Sequence, residues 1–180
     1  MVMDEPTTAL DVVVQREILL EVTRLREILG FAVIFITHDL SLLLEISGRI
    51  AIMYAGRLIE DGSASRIYDQ PLHPYTIGLL SSFPDLTGPH RELHGIPGSP
   101  PDLSLGLRHC AFDVRCPYRR KVCSSTWLRL QPQPGSPGGS DGRVACHAHD
   151  SAFWSGPTPP AELLEGKFTP YERSRWCSRD

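Results

Sequence analysis

The sequence predicts an α/β fold: part of a parallel sheet with its helices, followed by a loop-rich, cysteine-bearing extension. Three observations carry this. Residues 12–29 have helical periodicity, and residues 31–36 (Phe-Ala-Val-Ile-Phe-Ile) form an unbroken apolar run. Beyond Pro71, proline and glycine recur while cysteines gather. Apolar strands alternating with helices build parallel sheets, whose strands are buried on both faces and so read as continuous apolar runs.

Residues 1–3 are too short to stand as a strand on their own. In the first helix Val14, Ile18, Val22, Leu25 and Leu29 recur at helical steps, with Asp11 placed as N-cap and Gly30 as the glycine that ends it. The run 31–36 reads as a strand buried on both faces, rich in β-branched and aromatic residues. A short helix over 40–47 follows, then a hairpin of strands 49–54 and 57–60 around Ala55-Gly56. Residues 63–68 read as a helical turn stopped by Pro71. Residues 77–83 read as a short apolar helix, with Pro74 suited to its first turn.

Composition excludes several classes. A net charge of −3 gives no reason to expect nucleic acid as a partner. Only two of 18 basic residues, Lys121 and Lys167, are lysines, and this arginine bias carries no functional weight. The longest apolar run is too short to span a bilayer, and the start meets Asp4 too soon for a signal peptide. Five cysteines in that setting are expected to be thiols or metal ligands.

The chemistry is concentrated in Asp4-Glu5-Pro6-Thr7-Thr8-Ala9-Leu10-Asp11 and, after the apolar run, Thr37-His38-Asp39. A carboxylate pair ending one strand and a histidine ending another suit phosphate hydrolysis. By itself Asp4-Glu5-Pro6 reads equally as a solvated turn, Asp11 as a helix cap, and His38 as a structural residue. Together they resemble the second half of an ATP-binding cassette ATPase, over residues 2–62. The resemblance implies Asp4 as the Walker B ligand of Mg²⁺, Glu5 as general base, Thr8 to Asp11 as the D-loop at a dimer interface, and His38 as the switch histidine sensing the γ-phosphate. No G-x-x-x-x-G-K-[ST] phosphate loop and no glycine-rich signature sequence occurs in these residues. On its own, this polypeptide is expected not to hydrolyse ATP, because nothing in it cradles the phosphates.

Beyond Pro71 a second resemblance appears. Leu72-His73-Pro74-Tyr75-Thr76, the stretch 95–101, and Cys110, Cys116-Pro117, Cys123 and Cys146 resemble the C-terminal extension of oligopeptide and dipeptide importer ATPases, over residues 71–147. Four gathered cysteines suit a metal–thiolate centre, and their spacing alone does not choose between iron–sulfur and zinc. The family resemblance implies [4Fe-4S], with zinc as the alternative and four free buried thiols as the bland reading. His109 and His147 adjoin two of the cysteines and are expected as neighbours or surface residues rather than ligands. Residues 131–142 read as a flexible loop that lets Cys146 return to the others. Cys177 reads as a free thiol in a poorly ordered tail.

The expected organisation is residues 1–70 as the ATPase part, 71–149 as the extension and 150–180 as the tail. The resemblance implies the ATP-hydrolysing subunit of an ABC transporter importing oligopeptides or dipeptides. It would use ATP and Mg²⁺ and pair with a second ATPase subunit. It would dock on permease subunits at the cytoplasmic face of the membrane and meet an extracytoplasmic peptide-binding protein indirectly. The alternative is a truncated, catalytically inactive fragment, or a metal-binding assembly module without ATPase activity.

Overall fold

A computed structural model describes residues 1–6, 10–82, 96–132 and 141–150. It divides into two compact units, one of residues 1–48 and one from Arg49 onward. In the first unit the chain runs β1 (Val2–Asp4), α1 (Val12–Leu29), β2 (Ile34–Ile36) and α2 (Leu40–Ile46). β1 and β2 pair in parallel with Asp4 opposite Ile36, and Glu5 N–H continues the ladder to the Ile36 carbonyl at 2.9 Å. The strand–helix–strand unit predicted for a parallel sheet is therefore present.

α1 has the predicted ends. Asp11 Oδ1 accepts from the N–H groups of Val13 and Val14, each at 3.0 Å. Gly30, at φ 69°, donates its N–H to the Arg26 carbonyl. Two expectations need correction. The second strand covers only Ile34–Ile36 rather than 31–36, and it is not buried on both faces: Ile34 and Ile36 are 61% and 48% exposed. A two-stranded sheet covers one face of each strand, so the side chains alternate in exposure. Likewise the deeply buried residue of α1 is Leu19, while Val14, Ile18, Leu25 and Leu29 are exposed. The helix carries apolar residues on several faces, so periodicity alone does not select the packed one.

The second unit is built on an antiparallel sheet of order β3-β4-β6-β5. β3 (Arg49–Tyr54) and β4 (Arg57–Ser63) form the predicted hairpin, with β4 longer than expected. Ala55 and Gly56 both take positive φ (50° and 73°), as a two-residue hairpin turn of type I′ requires. The pairing skips one residue at Ile59: Ile52 opposes Glu60 while Met53 opposes Leu58. That bulge breaks the alternation, so Ile59, Glu60, Asp61 and Gly62 are buried in succession. β6 (Gly142–Val144) adds to β4, and β5 (Gln131–Pro132) forms the far edge. The loop expected over 131–142 thus begins and ends in strand; residues 133–140 lie outside the described set. Proline 132 is tolerated because β5 is an edge strand.

α3 (Ala64–Asp69) is capped by Ser63, whose Oγ accepts from Arg66 N–H. α4 (Pro74–Ser81) starts three residues before the predicted helix, with Pro74 in its first turn and His73 Nδ1 accepting from Tyr75 N–H at 3.0 Å. Asp61 pairs with Arg143 and Arg49 from the two flanking strands, and the Arg143 hydrogen bond chiefly holds its carboxyl below the usual range. Phe112, 1% exposed, stacks edge-on against Tyr54 and Tyr75 at centroid distances of 5.4 and 5.6 Å. Arg115 donates to the Tyr54 hydroxyl and to the carbonyls of Ile96 and Pro97. These contacts fasten the loop-rich segment to the hairpin. Among the described residues no helix is long and apolar enough to cross a membrane.

The centre of this unit is a buried ion pair. Glu60 is fully buried and accepts from Arg66 Nη1 at 2.8 Å. It also accepts from the N–H groups of Leu72 and His73, both at 2.9 Å. Arg66 donates further to the carbonyls of Asp61 and Gln70. A Cβ on Gly142 would stand 2.6 Å from Arg66 Nε, so glycine is required for the guanidinium to lie there. Removing one partner of such a pair leaves an uncompensated buried charge. Glu60→Ala is therefore expected to cost about 3–5 kcal/mol, read as a lower denaturant midpoint. An unchanged midpoint would refute this role for the pair.

Candidate functional site

The first unit brings two of the expected catalytic residues together. β1 and β2 lie side by side and parallel, so the residues after their C-terminal ends, Glu5 and His38, leave the sheet from the same edge. That edge is where open α/β sheets present ligand-binding groups. His38 Nδ1 stands 2.8 Å from Glu5 Oε1. The hydrogen bond to Glu5, and then its charge, raise the His38 pKa above the ordinary value although the ring is solvent-exposed. Glu5 also holds φ at 44°, left-handed backbone that a non-glycine residue occupies at a cost. Strain of this kind concentrates at functional positions.

The other residues are placed separately. Asp4 ends β1 with its side chain exposed. Asp11 caps α1, as its sequence position allowed. Asp39 caps α2, its Oδ1 accepting from Leu42 N–H at 3.1 Å. Thr8, at the start of the expected D-loop, lies outside the described residues.

In the second unit the four cysteines line one small cavity of about 20 Å³, together with His73, Phe112, Tyr118 and His147. Tight turns present them. Cys110 N–H donates to the Cys123 carbonyl at 3.0 Å, joining two of the loops. Cys146 follows β6, whose pairing continues through Ala145 N–H to the Ile59 carbonyl at 2.8 Å. The backbone amides of Phe112, Tyr118 and Ala148, each two residues on, act to lower the thiol pKa values of Cys110, Cys116 and Cys146. Burial nevertheless pushes the Cys110 thiol up to about 11 and Cys116 to about 12, and raises Cys146 further, with the neighbouring cysteines adding to the shift. As placed, no three His, Cys, Asp or Glu side chains among the described residues form a group that could hold a metal ion. The cysteines therefore share a cavity without yet having ligand geometry.

His147 is buried rather than on the surface, with Nε2 3.0 Å from the Thr126 carbonyl, whereas His109 is outside the cavity lining. Sequence reasoning missed His73, which entered only as part of the segment preceding a helix. Its ring is 1% exposed, and burial, then the nearby His149, lower its pKa to about 3. The signal was a histidine directly before the proline of a helix start, 37 residues ahead of Cys110. Cys177 lies outside the described residues.

Residues 59–123 match the family described as "Oligopeptide/dipeptide transporter, C-terminal region". Over those residues the chain carries the pattern of that family's C-terminal region. It is 42% identical over 125 residues to the oligopeptide transport ATP-binding protein OppD of Salmonella typhimurium, covering 69% of this chain and 37% of that one. It is 43% identical over 125 residues to OppD of Escherichia coli, covering 69% and 37%. The dipeptide transport ATP-binding protein DppD of Caldanaerobacter subterraneus subsp. tengcongensis is 35% identical over 153 residues, covering 83% and 44%. The chain thus spans about two fifths of the length of these relatives.

The Glu5–His38 contact makes a titration prediction. Because the folded-state pKa of His38 is raised, the pair stabilises the fold fully below the unfolded histidine value, ~6.5. That contribution disappears as pH rises through the raised value. An NMR titration should find His38 above the ordinary value and Glu5→Gln should return it towards normal. A normal value in the unmodified protein would refute the contact.

Proposed function

We propose that the chain supplies the catalytic-strand part and the C-terminal extension of an ATP-hydrolysing subunit of a peptide importer. The observation that carries this reading is the Glu5–His38 pair at the shared edge of two parallel strands. In this role the Glu5 carboxylate accepts the proton of the attacking water, and the hydrogen bond from His38 keeps it ionised and oriented. Asp4, exposed at the end of β1, fits a ligand of Mg²⁺, which offsets charge on the transferring phosphoryl group when bound. His38 senses the γ-phosphate, and Asp11 serves both as helix cap and at the interface with a second ATPase subunit. Residues 1–70 form the ATPase part, 71–149 the extension and 150–180 a tail. The subunit acts peripherally at the cytoplasmic face of the membrane, bound to permease subunits that receive peptide from an extracytoplasmic binding protein.

The 180-residue chain alone is expected to give no ATP turnover above background. In a longer protein that supplies a phosphate loop, Glu5→Gln should retain ATP binding and lower turnover by roughly 10² to 10⁴-fold. His38→Ala should also lower it severely. Near-normal turnover in Glu5→Gln would remove Glu5 from the role of base.

The extension's cysteines form, in this reading, one structural metal centre. The supporting observation is that all four cysteines line one common cavity. The donor set is that of a thiolate-bound metal, and the family resemblance favours [4Fe-4S] over zinc. The cavity has room for a single ion, so a cluster requires the cysteine loops to move outwards. Protein prepared without oxygen should contain iron and sulfide. Serine at Cys110, Cys116, Cys123 or Cys146 should abolish both and destabilise the extension, while Cys177→Ser should change neither. Stoichiometric zinc in colourless protein would replace the cluster but keep the site. Metal-free protein that folds equally well without the four cysteines would eliminate the site.

A further inference from the structure

We propose that Cys110 and Cys123 form an intramolecular disulfide when the metal-free chain meets a small-molecule disulfide such as oxidised glutathione. The backbone places them for it. Cys110 N–H donates to the Cys123 carbonyl at 3.0 Å, and among the described residues this is the one hydrogen bond that joins two cysteine backbones. A direct bond of that kind holds the two Cα atoms roughly 5–6 Å apart, as across a hydrogen-bonded strand pair. A disulfide needs about 4.4–6.8 Å. Both residues also line the same cavity of about 20 Å³, so their side chains turn towards one small space. Burial chiefly raises the pKa of the Cys110 thiol, and Cys123 adds to the rise through its charge, which places the two thiols within electrostatic reach of each other.

Both thiols are free and half-buried, so a small oxidant reaches them. One thiolate attacks a sulfur of oxidised glutathione and expels a glutathione thiolate. The other then attacks the protein sulfur of the mixed disulfide and expels the second. The two cysteines lose two protons and two electrons, and one oxidised glutathione becomes two glutathiones. Neither the bond nor its formation involves a metal.

Proximity along the chain favours other pairs. Cys116 is six residues from Cys110 and seven from Cys123, whereas Cys110 and Cys123 are thirteen apart. Closing the shorter loops costs less entropy. In the fold, however, Cys116 N–H is committed to the Asp113 carbonyl, and the Cys146 carbonyl to His149 N–H, each within its own turn. The fold therefore selects the longer loop. That loop carries Phe112 and Arg115, which fasten the extension to the β3–β4 hairpin through Tyr54.

The test treats the full 180-residue chain with a chelator and then with oxidised glutathione, without denaturant. Remaining thiols are blocked by alkylation, and linkages are mapped by peptide mass spectrometry. The expected product is monomeric, with Cys110 joined to Cys123 and with Cys116, Cys146 and Cys177 alkylated. In urea the selection should vanish, and each of the shorter loops, 110–116 and 116–123, should form about threefold more often than 110–123. Another predominant linkage in the absence of urea, glutathione adducts with no internal bond, or unreacted thiols would each overturn the proposal. Equal predominance of the Cys110–Cys123 linkage in urea would overturn it too, because the fold would then not be what selects the pair.

Discussion

The carboxylate of Glu60 is the constraint on which the second unit depends. A fully buried charge persists only when its partners satisfy it, and here two separate segments do so: Arg66 from α3 and the backbone of Leu72 and His73 before α4. The bulge at Ile59 turns Glu60 inward, and the side-chain-free backbone at Gly62 and Gly142 leaves space for the guanidinium. Sheet, helix and extension are thereby tied at one point. The same point fixes His73, so the cap of α4 and the wall of the cysteine cavity share an anchor.

The two candidate sites use different physics. Glu5 and His38 meet because two short parallel strands in register release their next residues at the same edge, and a hydrogen bond then joins exposed side chains. The cysteines meet because turns and one added strand converge on a buried cavity. There, desolvation disfavours the thiolates and backbone amides oppose it in part. The first pair is exposed and held by strand geometry alone. The second gathers four cysteines at one cavity, and among the described residues no three side chains stand as metal ligands.

The match to the oligopeptide/dipeptide transporter family, over residues 59–123, takes in most of β4, both early helices of the second unit and three of the four cysteines. Cys146 lies beyond that match and reaches the cavity through strand pairing with β4. This gives β6 a role that composition alone did not reveal: the segment read as a loop is anchored at each end by sheet hydrogen bonds.

Local sequence by itself determined the helix ends and the hairpin. Caps and hairpin turns are set by side chains acting on their own few residues, so Asp11, Gly30 and Ala55-Gly56 were legible in the sequence, whereas Glu5 and His38 stood out only through a resemblance to a family. Burial was not. The face of α1 that packs, the exposure of Ile34 and Ile36, and the inward turn of Glu60 depend on which elements lie against one another. The placement of His73 against cysteines 37 or more positions away is of the same kind. Tertiary structure decided these because desolvation and ion pairing are properties of neighbours in space, and no periodicity along the chain records them.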